Sequence, residues 1–224
     1  MAGDKGAIDA VVFDLDGVLI ETEEIWDDVR EAYVRERGGT YDDTAQRAMM
    51  GMSSLEWSRY INEELGVALP PEQISAEVVE LMQARYRERL PLIGGAVEAV
   101  ERLAAVWPLG VASSSNRPLI DAVLDVSGLA RHFRATVSSE EVARGKPAPD
   151  VYLEAAHRLG VRPQRCAAVE DSHSGIASAN AAGMRVVAIP NRTYSPSADE
   201  LAAADLVVES LAQLTPELIR DYPP

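Results

Sequence analysis

The chain has 224 residues, 47% apolar and 25% charged, an ordinary mixture for one large folded domain or a domain with a smaller insert. Acidic residues number 36 against 21 basic ones, a formal charge of −15, which argues against nucleic acid or an anionic membrane as partner. The longest stretch free of Asp, Glu, Lys and Arg, residues 103–116, is shorter than the roughly 20 apolar residues of a bilayer span, and the lone cysteine, Cys166, excludes an intrachain disulfide. The N-terminal stretch lacks the features of a secretory signal, so a soluble protein of the cytoplasm is expected.

The first predicted element is an apolar run over residues 7–14, as in a strand buried on both faces. It ends in Asp14-Leu15-Asp16-Gly17. Residues i and i+2 of an extended chain share a side, so Asp14 and Asp16 are placed together beyond the carboxyl end of the strand. Open α/β sheets bind ligands there. The alternative is a plain acidic turn.

Residues 22–90 show no convincing strand. Amphipathic helical stretches run near 25–37, 43–50, 54–64 and 71–89, separated by Gly38-Gly39, Gly51 and Leu69-Pro70-Pro71. The expected organisation is an α/β core formed by residues 1–21 and 93–224, with an all-helical cap inserted at 22–92. A helical layer within one domain is the competing arrangement.

From residue 95 helices and short apolar strands alternate, which argues for a doubly wound parallel sheet. Helices are expected over 95–106, 118–127, 149–159 and 174–182, and strands over 109–112, 135–137, 166–169, 186–189 and 206–208. The strand at 109–112 leads into Ser113-Ser114-Ser115-Asn116 before a helix, which reads as a phosphate site or as a serine-rich cap. Lys146 sits between Gly145 and Pro147, so its ammonium has little freedom. A fixed ammonium can offset charge on a transferring phosphoryl group, although a surface-loop lysine is the commoner case. Val169-Glu170-Asp171-Ser172 closes another strand, and its carboxylates reach the sheet edge of Asp14 and Asp16. Like charges about 4 Å apart repel by roughly 4 kcal/mol at an effective dielectric of 20. Hard oxygen ligands in small number suit Mg²⁺, which keeps waters and accepts a substrate phosphate. The other reading of Glu170 and Asp171 is that they cap the next helix.

In the order Asp-x-Asp, Ser, Lys-Pro, Glu-Asp, each after its own strand, these motifs resemble the haloacid dehalogenase-like hydrolases. The resemblance is to the subfamily with a small helical cap, which holds phosphoglycolate-type phosphatases and β-phosphoglucomutase, and it covers nearly the whole chain. It implies a Rossmann-like core and a Mg²⁺-dependent phosphatase acting on a small phosphorylated metabolite. Asp14 would be the nucleophile that becomes an aspartyl phosphate, and Asp16 the general acid and base. The second Asp argues against carbon–halogen cleavage. Mg²⁺ would be held by the Asp14 carboxylate, the Asp16 carbonyl and Asp171, with Glu170 bound through water or supporting the others. Ser113 and Lys146 would hold the phosphoryl oxygens, with Ser114 and Asn116 close by.

The cap is expected to select the substrate. Trp26 and Ser54 stand where β-phosphoglucomutase carries a histidine and an arginine, which weakens a sugar phosphomutase reading without removing it. Glu21, in the first hinge, is a candidate substrate residue with Trp26, Met52 and Asn116, or else serves the hinge itself and tunes cap closure. The cap loop Met50-Gly51-Met52-Ser53-Ser54, with Trp26, Met49 and Trp57, forms an apolar group that either meets an apolar leaving group or packs the cap's own helices. A monomer or weak dimer is expected. A non-catalytic sensor is the alternative from outside the enzymes.

Overall fold

The computed structural model describes residues 7–49, 52–190 and 196–221. The chain divides into two compact units, Met1–Glu21 with Pro91–Pro224, and Thr22–Leu90. Among the described residues the first unit holds six strands, β1 (Ala10–Phe13), β2 (Leu109–Ser113), β3 (Phe133–Ser138), β4 (Cys166–Glu170), β5 (Arg185–Ala188) and β6 (Leu206–Val207). All pair in parallel, in the order β3-β2-β1-β4-β5-β6. The doubly wound sheet expected from the alternating pattern is therefore the fold.

The second unit is helical, with α1 (Glu23–Glu36), α2 (Asp43–Met49), α3 (Ser54–Glu63) and α4 (Pro71–Glu88). Capping chemistry starts α3, where Ser53 accepts from the Glu56 N–H and the Glu56 side chain accepts from the Ser53 N–H. Pro71 opens α4 at a position where a missing N–H costs nothing. The helices of the first unit are α5 (Ala96–Ala104), α6 (Arg117–Ser127), α7 (Asp150–Leu159), α8 (His173–Ala181), α9 (Ala198–Leu201) and α10 (Pro216–Asp221). Among the described residues no helix is long and apolar enough to cross a membrane.

The central strands are short and apolar because they are covered twice. All of β1, β2, β4 and β5 is buried. Ala10, Val12, Ala112, Ala168, Val186 and Ala188 meet Val151, Tyr152 and Ala155 of α7 and Ile176 and Ala179 of α8 in one core. Right-handed crossovers put α5 and α6 on the opposite face.

Strand order reverses between β1 and β4, and a crevice opens at the carboxyl ends of strands at such a point. The Asp14 N–H donates to the Val169 carbonyl at 2.9 Å, so Asp14 and Glu170 emerge side by side there. The two chain crossings into the helical unit also run together. Ile20 bridges Leu92, the Glu21 N–H donates to the Pro91 carbonyl, and the Ile93 N–H donates to the Leu19 carbonyl. This pairing keeps residues 91 and 92 with the sheet, so the division falls two residues ahead of the boundary expected after residue 92.

Candidate active site

Four loops at the carboxyl ends of β1, β2, β3 and β4 supply the polar groups. After β1 the chain turns at once. The Gly17 N–H donates to the Ile20 carbonyl at 2.7 Å, and Gly17 has a φ of 77°. A Cβ on Gly17 would lie 1.9 Å from Asp171 Oδ2, so the Asp171 carboxylate rests against a bare Cα. Only glycine meets both conditions. Asp14 is 7% exposed. Its Oδ1 accepts from the Leu15 N–H at 2.7 Å and its Oδ2 lies 2.9 Å from Lys146 Nζ.

Asp16 is turned to another neighbour. Its Oδ2 accepts from the Ser115 hydroxyl at 2.6 Å. The serine run after β2 offers Ser115 as one of three hydroxyls, with nothing in the sequence to tie it to Asp16. The loop that carries it is braced on both sides. Ser113 Oγ accepts from the Ser115 N–H at 2.9 Å, and the Ser138 hydroxyl donates to the Ser115 carbonyl at 2.7 Å. Ser113 is fully buried and Ser114 is exposed. Asn116 precedes α6, and its amide donates to Glu140 at 2.6 Å.

Lys146 reaches the same crevice from the loop before α7. The Ala148 N–H donates to the Gly145 carbonyl, and the Ser178 hydroxyl ties the Ala148 carbonyl to α8. The lysine side chain is only 3% exposed, and Nζ stands 2.6 Å from Glu170 Oε1. Burial alone would lower its pKa, but the Asp14 and Glu170 charges outweigh it and hold the ammonium above its ordinary range.

Glu170 is saturated by the protein. Oε1 accepts from Lys146 and from the Tyr152 hydroxyl at 2.7 Å. Oε2 accepts from the Asp171 N–H, the Ser172 N–H and the Ser172 hydroxyl, at 3.1, 3.3 and 3.2 Å. The cap of α8 is Ser172, whose Oγ accepts from the Gly175 N–H, so neither acid has that job. A Cβ on Gly175 would sit 1.9 Å from the Glu170 carboxyl. Tyr152 and Gly175 were not legible as site residues, because a tyrosine in a helix reads as core and a glycine near a helix start reads as local geometry.

Carboxylate oxygens of Asp14, Glu170 and Asp171 lie within 4.8 Å of one another. Burial, then the charges of Glu170 and Asp16 acting against Lys146, push Asp14 up to about 8. Burial, then the charges of Glu170 and Asp14, push Asp171 up to about 9. One ammonium does not offset this many acids, and a divalent cation would. The donor set fits Mg²⁺. Because Glu170 is spent on five protein donors, the fit rests on Asp14 and Asp171, with Glu170 in support. The Asp16 carboxylate is outside the group, which leaves its carbonyl as the expected contribution.

In the helical unit Trp26 and Trp57 pack with ring centroids 5.9 Å apart. The Arg30 guanidinium lies over both, 4.5 and 4.9 Å from the centroids. Arg30 was not singled out, although its place one turn after Trp26 was the available signal. Trp57 and Met49 are buried within the unit, which favours packing over substrate contact for these two. Trp26 and Met52 are half-buried, and Met50 and Gly51 of the same loop lie outside the described residues. Glu21 is exposed, with its N–H in the paired crossing. His173 faces Glu200 at 3.2 Å, away from any ligand role. Burial pushes the Cys166 thiol up to about 12, as suits inert packing.

The family model for haloacid dehalogenase-like hydrolases matches residues 8–183. The chain is 31% identical over 207 residues to the bifunctional riboflavin kinase/FMN phosphatase of Arabidopsis thaliana, covering 91% of this chain and about half, 54%, of that protein. It is 32% identical to hexitol phosphatase B of Escherichia coli (strain K12), covering 92% of this chain and 94% of the relative. The crystal structure of CbbY from Rhodobacter sphaeroides in complex with phosphate superposes with a TM-score of 0.84 at 28% identity, over 96% of this chain and 99% of that one.

Proposed function

The chain belongs to the haloacid dehalogenase-like hydrolases, and we propose that it is a Mg²⁺-dependent phosphatase that hydrolyses a small organic phosphate monoester through an aspartyl phosphate on Asp14. Its class, a phosphoric monoester hydrolase, is that of the phosphatases it resembles. The observation that carries the reading is the buried group Asp14, Lys146, Glu170 and Asp171 at the reversal of strand order.

Each residue then has a task. The Asp14 carboxylate attacks phosphorus, which splits the transfer into two steps. Lys146, fixed between Asp14 and Glu170, offers a remaining N–H to a phosphoryl oxygen. Ser113 and Ser114, at the end of β2, are assigned to the same oxygens. Asp16 gives a proton to the leaving oxygen and later takes one from the attacking water, and Ser115 aims its carboxyl. Mg²⁺, held by Asp14, the Asp16 carbonyl and Asp171, would offset phosphoryl charge and keep Asp14 ionised. A carboxyl that prefers its neutral form is a poor nucleophile, so the raised pKa of Asp14 supports that need. The helical unit is read as the cap that selects the leaving group.

The test is inorganic phosphate release from a panel of hexose, pentose, nucleotide, glycolate and bulky aromatic phosphates, with Mg²⁺ and with chelator. Mg²⁺-dependent release concentrated on one class is expected. Isomerised sugar phosphate without release would replace the phosphatase reading by phosphomutase.

A further inference from the structure

The contact least explained by packing is the one between Tyr152 and Glu170. Tyr152 is fully buried in the sheet's core, in the third position of α7. Its ring belongs to the apolar cluster, and Lys146 Nζ stands 5.2 Å from the ring centroid. Its hydroxyl ends at Glu170 Oε1, the same oxygen that holds Lys146. A phenylalanine would fill the core equally well, so the hydroxyl answers to the carboxylate.

Resting on the phosphatase reading, we propose that Tyr152 is a positioning residue whose hydroxyl sets how strongly Glu170 holds Lys146, and so how well Lys146 grips the phosphoryl group. An ammonium has three protons. One faces Asp14 Oδ2 and one faces Glu170 Oε1, which leaves the third for a phosphoryl oxygen. The tyrosine proton satisfies part of Oε1. Without it, that buried oxygen has Lys146 as its remaining side-chain donor, and a less satisfied buried carboxylate draws the ammonium more strongly. The cost then appears at the phosphoryl group. The Oε2 side of Glu170 stays anchored on Asp171 and Ser172, so the carboxylate does not leave and its pull is exerted on Lys146 alone.

The experiment is a double-mutant cycle in the full chain with Mg²⁺, read by calorimetric binding of inorganic phosphate and by KM and kcat on the working substrate. Tyr152→Phe should weaken phosphate binding about tenfold and raise KM comparably, with a smaller change in kcat; hydrogen bonds to charged groups are of about that size. In a Lys146→Met background the same substitution should change phosphate affinity less than about twofold, since the group it acts through is gone. Equal losses in both backgrounds, or a lower melting temperature with unchanged phosphate affinity, would overturn the assignment. Should Lys146→Met not fold, Glu170→Gln serves as the second background with the same expectation. A wild-type chain that neither binds nor releases phosphate would overturn the phosphatase reading instead. Normal wild-type turnover with additive losses would overturn only the role of Tyr152.

Discussion

Removing divalent cations and raising the pH should destabilise this chain at one identifiable place. Asp14 and Asp171 are lifted from 3.8 to about 8 and about 9. A carboxyl whose folded pKa is raised contributes its full stability below the unfolded value and loses it as pH climbs through the folded value. The loss therefore runs between pH 4 and pH 9. Each unit is worth 1.36 kcal/mol, so one carboxyl raised by about four units contributes up to about 6 kcal/mol. Asp14 and Asp171 answer to the same neighbouring charges, so their effects overlap, and roughly 3–6 kcal/mol is expected for the pair. At about 2–4 °C per kcal/mol for a chain of this size, the melting temperature under chelator should fall by roughly 6–24 °C from pH 5 to pH 9. Excess Mg²⁺ should restore most of that at pH 9 and little at pH 5, where protons compete for the same oxygens. General repulsion in an acidic chain also grows with pH, so the informative quantity is wild type minus Asp171→Asn, measured by thermal melting. Equal pH slopes for the two chains under chelator would refute the reasoning.

Asp14→Asn should cut phosphate release by more than about 10³-fold at saturating Mg²⁺, and retention of wild-type turnover would remove Asp14 as nucleophile. Gly17→Ala combines a left-handed φ with a Cβ 1.9 Å from Asp171 Oδ2. It should raise the Mg²⁺ concentration for half-maximal rate at least about tenfold and lower stability by about 1–3 kcal/mol. Gly175→Ala drives a methyl into the Glu170 carboxyl and should cost about 1–3 kcal/mol by denaturant titration; no loss would mean that Glu170 does not lie against α8. Trp26→Ala leaves Arg30 with one indole, so a lower melting temperature and an equal loss of kcat/KM on small and bulky substrates are expected. A loss confined to bulky substrates would instead place Trp26 against the leaving group.

Much of the core was readable from local pattern. Buried parallel strands need continuous apolar runs, and the runs at 166–169 and 186–189 stand beside β1 in the sheet as β4 and β5. Asp-Gly, Ser-Ser and Lys-Pro after such runs marked the loops that converge. Charge partners were not readable in this way. Ser115 and Asp16 are 99 positions apart, and Lys146 and Glu170 are 24 apart. Spacing along a strand placed Asp14 with Asp16, whose charge does act on Asp14, but it gave no sign that the Asp16 carboxylate is also held by Ser115 of the β2 loop. Trp57 and Met49 could be read as cap surface or cap core, and burial favours core.

The sequence by itself determined the doubly wound sheet, because strand and helix periods and turn chemistry are properties of near neighbours. The tertiary structure decided which carboxylate is consumed by the protein and which remain for a cation. Glu170 and Asp171 are adjacent acids of similar chemistry in the sequence. Only the packing of α7 over β1, β2 and β3 and of α8 against β4 brings Tyr152, Lys146, Ser172 and the bare Cα of Gly175 around Glu170, while Asp171 turns toward Gly17 and Asp14. Burial then makes the difference matter, since a charge removed from water must find its donors among residues distant in the chain.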